Sequence, residues 1–441
     1  MRKLSVILSV AALAAAAWSA PEYAGPVRAE EVRVRDGVGN LMRKLSAGRD
    51  VTIAYLGGSI TAMDGWRNLT TEWFRRTWPN VKFTEVHASI GGTGSDLGAF
   101  RVGHDALCRR PDLLFVEFAT NDGGARPEDI WRSMEGIVRQ TWNADPSTDV
   151  VFAYTITHAM ADDYGAGRCP RAASAMEQLA DHYGIPSVCF GPRVAAEVKA
   201  GRLIMSRGEL ETAVPKDAPD RDRAISELLA REGRVLFAAD GVHPSAEGHR
   251  LYLQSVTNAF AQMRASRPAD HRARLATPFT ADNLERAKMV EIDPGMLRGA
   301  WTKLPADDAK SKSFGGRMGD IWYAHEPGDA LSFSFRGTCC RIYDLLGPDG
   351  GQVWVTVDGK RSAHPIPRFD SYCTYHRIAT LYVFQGAEGV HTVEIEVDRD
   401  QPSRQGVAFR LKDPDRELAQ PKYQGTKFWP AKIMLVGDLV R

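Results

Sequence analysis

The first candidate for chemistry is a serine that follows two glycines directly after a short apolar run. Residues 51–56 predict a buried strand, and Gly57 and Gly58 permit a sharp turn before Ser59. A serine there would lie at the carboxyl end of a sheet strand, where open α/β folds bind their ligands. It could equally be the cap of the helix that follows, so this segment alone leaves both interpretations open.

A histidine that could activate this serine precedes the last helix predicted before residue 265. A serine hydroxyl is a weak nucleophile until a base takes its proton, and imidazole suits that task near neutral pH. Asp240 lies three residues before His243, so one tight turn could bring its carboxylate against the ring and orient it. The alternative is a solvated helix start, with Asp240 as a cap and Pro244 near the first turn.

Two further segments offer hydrogen-bond donors for a developing negative charge. Gly91, Gly92 and Gly94 follow a predicted strand and could expose backbone N–H groups. Asn121 lies just past another strand, where its amide could point over the sheet edge. Donors of this kind stabilise the oxyanion formed from an ester carbonyl, and losing one typically costs about 10²–10³ in rate. The alternatives are a flexible glycine loop and an Asx turn between Asn121 and Asp122.

Short apolar strands alternate with helices from residue 51 to about 260. This alternation predicts a parallel sheet covered by helices on both faces. The predicted strands are 51–56, 81–86, 113–118, 150–155 and 187–190, and the predicted helices are 69–78, 130–142, 172–183 and 246–263. The stretch 202–234 is charged and weakly periodic, and we predict it to be helical.

Four segments within this region together resemble the motif blocks of the SGNH hydrolases, also called GDSL esterases. In the family's order they are residues 57–61, 88–93, 116–122 and 240–244. Each block alone is weak, but all four occur in order and beside a predicted strand or helix end. The resemblance covers about half of the chain and implies a flavodoxin-like three-layer α/β/α fold with a parallel sheet.

The resemblance also implies a role for each site residue. Ser59 would be the nucleophile, His243 the base and Asp240 the residue that orients it. The N–H groups of Ser59 and Gly92, with the side chain of Asn121, would form the oxyanion hole. An ester would then be cleaved through an acyl-serine, and neither a metal nor an organic cofactor would be needed.

The chain departs from the family pattern at two positions. Gly58 stands where the family usually has Asp, so the turn that carries the nucleophile must be held differently. His87 stands where the second block usually opens with Asn, and we interpret it as a structural replacement rather than a second base. Trp66 and Arg67 are candidates for substrate contact, and His158 could border the cleft.

The pattern changes after about residue 265. Residues 264–281 are polar and rich in arginine, which is typical of a linker. Beyond them, period-two alternation predicts strands at 331–335, 353–357, 393–397 and 433–436, with a hairpin turn at Asp358-Gly359. We therefore predict a catalytic domain at 30–265 and an antiparallel β-sandwich domain at 282–441.

The predicted second domain contains side chains that could bind sugar. The aromatic candidates for stacking, most of which could instead build the core, are Trp322, Tyr323, Trp354, Tyr372, Tyr375 and Trp429. A polar cluster could bind sugar or pack against the first domain, and it comprises Arg368, Asp370, His376 and Arg377.

The N-terminus and the charge balance restrict where the protein acts. Arg2, Lys3 and the apolar run 4–18 predict a signal peptide ending at about residue 20, and hence export to the periplasm or beyond. The run is shorter than the ~20 residues that a membrane span needs. Lys+Arg number 56 and Asp+Glu 55, which excludes a broad basic surface for nucleic acid. The six cysteines fix no disulfide pairing.

Export and an added β-sandwich resemble carbohydrate esterases, which remove acetyl groups from polysaccharides. The expected partner is therefore an acylated polysaccharide or oligosaccharide. Two alternatives stay open at this point. One is a lipid or thioester hydrolase on the same scaffold, and the other is a glycan-binding protein with an idle hydrolase domain.

Overall fold

The computed structural model of the protein describes residues 21–440. The predicted signal peptide at 1–20 lies outside the described residues, so export stays a prediction from the sequence. No helix within 21–440 is both long and apolar enough to cross a membrane.

A six-stranded sheet organises the first part of the chain, in the order β1-β6-β5-β4-β2-β3. Five of its strands are parallel and the short edge strand β1 is antiparallel. The strands are β1 (Val32–Arg33), β2 (Val51–Gly57), β3 (Phe83–His87), β4 (Leu113–Glu117), β5 (Asp149–Tyr154) and β6 (Ser187–Cys189). The five parallel strands confirm the predicted sheet, with bounds that differ by at most two residues.

Helices cover both faces of this sheet, as the alternating pattern predicts. They are α1 (Gly39–Ser46), α2 (Ser59–Ala62), α3 (Trp66–Thr77), α4 (Ser95–Asp105), α5 (Pro127–Ala144), α6 (Ala161–Gly165), α7 (Arg171–Tyr183), α8 (Gly191–Lys199), α9 (Arg221–Glu232) and α10 (Ala246–Met263). Every residue of β4 and β5 is buried, which explains why these strands are continuous apolar runs without alternation.

The prediction of helix throughout 202–234 is wrong. Its first part forms the strand β7 (Leu203–Ser206), which pairs in parallel with β8 (Val235–Ala238), and only α9 is α-helical. All four residues of β7 are buried. Four buried residues are too few for periodicity to separate a strand from a helix.

The arginine-rich stretch after α10 is docked on the first sheet's helices. His271 lies 2.9 Å from the Asp149 carboxylate through its Nε2 atom. The buried Glu135 accepts hydrogen bonds from the backbone N–H groups of Phe279 and Thr280. The predicted linker is therefore held against the first domain. The limits of the two domains, at residues 265 and 282, remain predictions from the sequence.

An antiparallel sheet follows, as predicted for the second domain. Its main order is β15-β14-β17-β13-β18-β9, with β10 and β16 paired at its margins. The elements of this region are β9 (Ala287–Glu291), β10 (Leu297–Arg298), β11 (Thr302–Lys303), α11 (Ala309–Met318), β12 (Trp322–Tyr323), β13 (Ala330–Leu346), β14 (Gln352–Val357), β15 (Lys360–Arg361), β16 (Ile366–Pro367), β17 (Arg377–Val397), α12 (Pro414–Leu418) and β18 (Trp429–Val440).

The turn between β14 and β15 confirms the predicted hairpin. Asp358 has φ of 51° and Gly359 has φ of 78°. Two successive residues with positive φ are typical of the tight turns that match the twist of a hairpin. Asp358 also accepts a hydrogen bond from the backbone N–H of Thr392, which fixes this turn to β17.

The middle of the antiparallel sheet is buried on both faces. Cys339 and Tyr343 belong to the same apolar core as the first domain, whereas the alternate residues Cys340 and Ile342 belong to the core of the second. Side chains in a strand alternate between faces, so one face of β13 packs against the first domain. The two sheets are therefore joined by a continuous apolar interface.

Candidate active site

Three side chains meet at the carboxyl ends of the parallel strands. The Nε2 atom of His243 lies 2.8 Å from the Oγ atom of Ser59. Its Nδ1 atom lies 2.7 Å from the Oδ2 atom of Asp240. A ring that accepts from the serine and donates to the carboxylate has the geometry needed to take and return one proton.

Asp240 is oriented by its own turn. Its Oδ1 atom accepts hydrogen bonds from the backbone N–H groups of Val242 and His243, at 2.9 and 2.8 Å. Partial burial raises the pKa of this carboxyl, but the hydrogen bonds from the His243 ring and the two N–H groups lower it to about 2 overall. Asp240 is therefore ionised near neutral pH. Gly241 makes the turn possible with φ of 78°.

Ser59 is the first residue of α2, directly after β2 and the extended Gly58. A buried carboxylate, that of Glu117, supports this turn through hydrogen bonds. The hydroxyl groups of Thr61 and Thr155 donate to the two oxygens of Glu117, each at 2.8 Å. Burial raises the pKa of Glu117 above its usual range, and the hydrogen bonds from Thr61 and Thr155, with the nearby backbone N–H of Gly58, oppose that rise.

Glu117 was not predicted to have a role in the site. It lies on the third motif block, but within an apolar strand its sequence neighbours give no sign of what it faces. The structure shows that it supports the turn where the family's usual Asp is replaced by Gly58. The departure at Gly58 and the carboxylate at Glu117 are therefore two parts of one arrangement.

Trp66 and Arg67 lie beneath the nucleophile helix. Trp66 is fully buried and donates from its indole N–H to the Thr61 hydroxyl at 3.2 Å. Arg67 is buried, donates to the Thr61 carbonyl oxygen at 3.0 Å and pairs with Glu85. Their burial favours support of α2 over the contact with substrate that we expected from the sequence.

The glycine loop approaches Ser59 from one side. A Cβ atom built on Gly91 would lie 3.6 Å from the Cβ atom of Ser59, so this backbone passes directly beside the nucleophile. Gly92 has φ of 72° and is exposed. Both features leave its N–H group free of crowding by a side chain, as a backbone donor to an oxyanion requires.

Asn121 lies across Gly58, on the other side of the nucleophile turn. A Cβ atom built on Gly58 would lie 1.9 Å from the Oδ1 atom of Asn121. Any side chain at position 58 would therefore displace this amide. The absence of a side chain at Gly58 is thus required by the position of Asn121, a relation that the sequence does not show.

Asp122 contacts the glycine loop from the turn after β4 that also contains Asn121. Its Oδ1 atom accepts from the backbone N–H of Ser95 at 3.0 Å, at the start of α4. Asp122 is 5% exposed. Burial raises its pKa to about 7, against the hydrogen bonds from Ser95, with further contributions from the charges of Asp96 and Glu117.

The two other histidines considered from the sequence lie at the margins of the site. The ring of His87 lies near the Ala62 carbonyl oxygen at the end of α2. Burial, followed by the charges of Arg67 and Arg317, lowers the pKa of His87 to about 4. His158 is exposed and lies 3.3 Å from Glu209, next to the Asp240 turn. These positions favour the structural interpretation of His87.

The comparisons with known proteins agree with this geometry. Residues 55–251 match the model of the GDSL-like Lipase/Acylhydrolase family. A crystal structure of a two-domain esterase active on acetylated mannans, co-crystallized with mannopentaose, is 20% identical with a TM-score of 0.66, covering 91% of this chain and 94% of that chain. Axe2, an acetylxylan esterase from Geobacillus stearothermophilus, is 14% identical with a TM-score of 0.34, covering 49% of this chain and 94% of that chain.

The search of curated proteins gave no significant match. At 20% identity, the likeness to the two-domain esterase shows that the chain shares its two-domain fold. The family match covers all four motif blocks, from the strand before Ser59 to the helix after His243. The chain is therefore a carboxylic ester hydrolase whose residues 55–251 match the GDSL-like lipase/acylhydrolase family.

Proposed function

We propose that the protein removes acetyl groups from a polysaccharide or oligosaccharide, with Ser59 as nucleophile, His243 as base and Asp240 as the residue that orients it. The observation that carries this proposal is the continuous chain of hydrogen bonds from Ser59 Oγ through His243 to Asp240. The proposed donors to the oxyanion are the N–H groups of Ser59 and Gly92 and the amide of Asn121.

The reaction runs in two displacements of the same kind. Ser59 Oγ forms a bond to the acetyl carbonyl carbon while its proton passes to His243 Nε2. The carbon–oxygen bond to the sugar then breaks, and His243 returns the proton to the sugar oxygen. Water attacks the acetyl-serine, His243 takes the proton of that water, and acetate leaves as Ser59 Oγ is reprotonated.

The exposure of the site supports an acyl group carried on a large, hydrated molecule. The side chains of His243 and Asp240 are 40% and 55% exposed. An acyl group on a polysaccharide can reach such an open site without the chain having to enter a cavity. A long lipid tail would instead need apolar surface to replace the water around it. The open surroundings of these two side chains provide little apolar surface.

The second domain offers two exposed rings for a sugar. Tyr372 and Tyr375 are 50% and 58% exposed, whereas Trp429 is fully buried. An exposed aromatic face can stack on the apolar face of a pyranose ring. Of the aromatic candidates predicted from the sequence, these two tyrosines are the ones we propose for sugar contact.

The predicted polar cluster is paired within the second domain. Arg368 is buried and forms a bidentate ion pair with Asp344, at 2.7 and 2.8 Å. Arg377 pairs with Asp370, and His376 lies 2.8 Å from Asp349. The charges are neutralised locally, so we assign this cluster to the support of the fold.

The two-domain fold shared with an esterase described as active on acetylated mannans gives independent support for a carbohydrate substrate. The test compares three substrates with the purified protein: 4-nitrophenyl acetate, 4-nitrophenyl decanoate and an acetylated mannan oligosaccharide. We expect acetate release from the first and third, and little hydrolysis of the decanoate. A preference for the decanoate would contradict the carbohydrate proposal.

The matched variants are Ser59→Ala and Ser147→Ala, the latter removing an exposed hydroxyl that donates to Asp145 at 2.7 Å. We expect Ser59→Ala to lower kcat by at least about 10⁴, and Ser147→Ala to leave it unchanged. Retention of activity in Ser59→Ala would overturn the assignment of the nucleophile. Sugar binding without hydrolysis by the unaltered protein would favour a glycan-binding protein instead.

A further inference from the structure

The glycine loop beside Ser59 is anchored to the second domain at both of its ends. We define this loop as residues 88–94, between His87 at the end of β3 and Asp96 in the first turn of α4. Arg317 of the second domain reaches His87, and Arg341 of the second domain reaches Asp96. These contacts could not be predicted from the sequence pattern of the first domain.

The contact at Asp96 is geometrically specific. Arg341 donates to Asp96 Oδ2 at 3.0 Å, and the Tyr382 hydroxyl donates to the same oxygen at 3.0 Å. The guanidinium of Arg341 also lies 5.0 Å from the ring centre of Phe100 and 4.4 Å from that of Tyr382. A planar cation held by rings from both domains and by a carboxylate has little freedom to move.

Asp96 also lies against the glycine loop, so its contact with Arg341 restrains the loop. A Cβ atom built on Gly94 would lie 3.3 Å from Asp96 Oδ1 and 2.4 Å from Asp122 Oδ1. Both carboxylates therefore lie against the loop two residues after Gly92. Since Asp122 follows Asn121 directly, the contact lies close to both oxyanion donors that we proposed.

The contact at His87 reaches the nucleophile turn. Arg317 donates to the His87 carbonyl oxygen at 3.3 Å and lies 3.4 Å from its Nδ1 atom. The ring of His87 in turn lies near the carbonyl oxygen of Ala62, the last residue of α2, whose first residue is Ser59. Arg317 also lies 3.9 Å from the buried side chain of Asp105 on α4.

We propose that the second domain keeps the glycine loop in the conformation needed for catalysis, with Arg341 and Arg317 as positioning residues. This inference rests on the proposed roles of Ser59, Gly92 and Asn121. An oxyanion hole works because its donors are fixed before charge develops, and a displacement of about 1 Å can cost about 10² in rate. The second domain thus contributes to the chemical step as well as to any binding of sugar.

The test uses the full chain and 4-nitrophenyl acetate, a substrate without sugar. We expect Arg341→Gln to lower kcat about 10–100-fold, with KM changed by less than about twofold. A domain that only binds sugar would leave kcat on this substrate unchanged. The number of reactive serines is counted with a fluorescent fluorophosphonate, so that kcat refers to folded sites alone.

Arg361→Gln is the matched control. Arg361 lies 4.5 Å from the ring centre of Trp354 and donates to Glu396 at 2.9 Å, so it has the same kinds of contact as Arg341 but within the second domain. We expect its kcat to equal that of the unaltered protein. An equal loss of kcat in both variants, or a loss confined to KM, would overturn the inference.

Asp96→Asn removes the same contact from the side of the first domain, and it serves if Arg341→Gln fails to fold. We expect Asp96→Asn to lower kcat as much as Arg341→Gln, and the double variant to be no slower than either. If the losses of kcat in the two single variants multiplied in the double variant, the two residues would act independently, and this would contradict the inference. If Ser59→Ala is inactive while Arg341→Gln and Asp96→Asn keep full kcat, this inference fails and the proposed function stands.

Discussion

The two sides of the active site are built in different ways. On the base side, Asp240 and His243 lie in one exposed turn, and Asp240 is oriented by the N–H groups of that same turn. On the nucleophile side, Ser59 stands on a turn held by Glu117, which lies 58 positions further along the chain and is 1% exposed. The base side is held by contacts within one exposed turn. The nucleophile side is held by buried contacts between residues that are far apart in the chain.

The difference shows which parts of such a site can tolerate change. A local turn needs only its own residues, so a substitution there alters the chemistry and leaves the fold intact. A buried carboxylate that accepts from two buried hydroxyl groups couples the chemistry to the packing of the sheet, because each donor left unpaired costs free energy.

Asp240→Asn should lower kcat by about 10³–10⁴, because the amide cannot stabilise the imidazolium and favours the wrong tautomer of His243. The melting temperature should change little, since the Asp240 side chain is exposed. Steady-state kinetics with 4-nitrophenyl acetate and a thermal melt by circular dichroism measure the two quantities. A large loss of stability would contradict the view that the base side is local.

Gly58→Asp restores the residue that the family usually has, and we expect it to lower kcat by about 10²–10³. The physical reason is that a Cβ atom at position 58 would lie 1.9 Å from Asn121 Oδ1 and displace this oxyanion donor. Gly58→Ala is the control, since it adds the same Cβ atom without a charge. Full activity in either variant would show that Asn121 is not held as described.

Glu117→Ala should reduce the free energy of unfolding by about 2–4 kcal/mol, because two buried donors lose their acceptor. It should also lower kcat, since the turn under Ser59 loses its support. Glu117→Gln keeps an acceptor of the same shape and should cost less than half as much. Urea unfolding monitored by fluorescence gives the comparison, and equal losses in both variants would indicate that the charge matters more than the hydrogen bonds.

Asp122 should make the protein less stable as the pH rises from about 4 to about 7. Its pKa is raised from 3.8 to about 7 in the folded state, so over this range the folded carboxyl keeps a proton that the unfolded one has lost. We expect a decrease of about 2 kcal/mol, roughly half of what 1.36 kcal/mol per pKa unit gives, because the site relaxes around the charge.

Asp122→Asn tests this pH dependence, since it removes the titrating group and keeps an acceptor for Ser95. The free energy of unfolding, measured at pH 4, 5, 6 and 7, should then vary less than in the unaltered protein. An unchanged slope would mean that Asp122 is ionised throughout this range.

Strand β13 shows why prediction from the sequence succeeded in one place and failed in another. From Leu331 to Gly337 its burial follows a period of two, and residues 331–335 of this part were predicted. From Cys339 to Leu346 every residue is buried, because one face packs on the second domain's core and the other on the first domain. Alternation marks a strand only while one of its faces meets water.

Local patterns along the chain were enough to establish the alternation of strands and helices, the order of the four motif blocks and the three-residue spacing of Asp240 and His243. Each of these follows from periodicity or from neighbours along the chain, which act over one or two turns. Helix α10 was predicted with its bounds at Ala246 and Met263 for this reason.

The tertiary fold brings Gly58, Glu117 and Asn121 into one small volume and brings Arg341 of the other domain to Asp96. The contacts of Thr61 with Glu117 and of Asp96 with Arg341 join residues that are 56 and 245 positions apart, at separations where local pattern carries no information. They depend on which faces of the two sheets meet, and that is settled by burial of the shared apolar core.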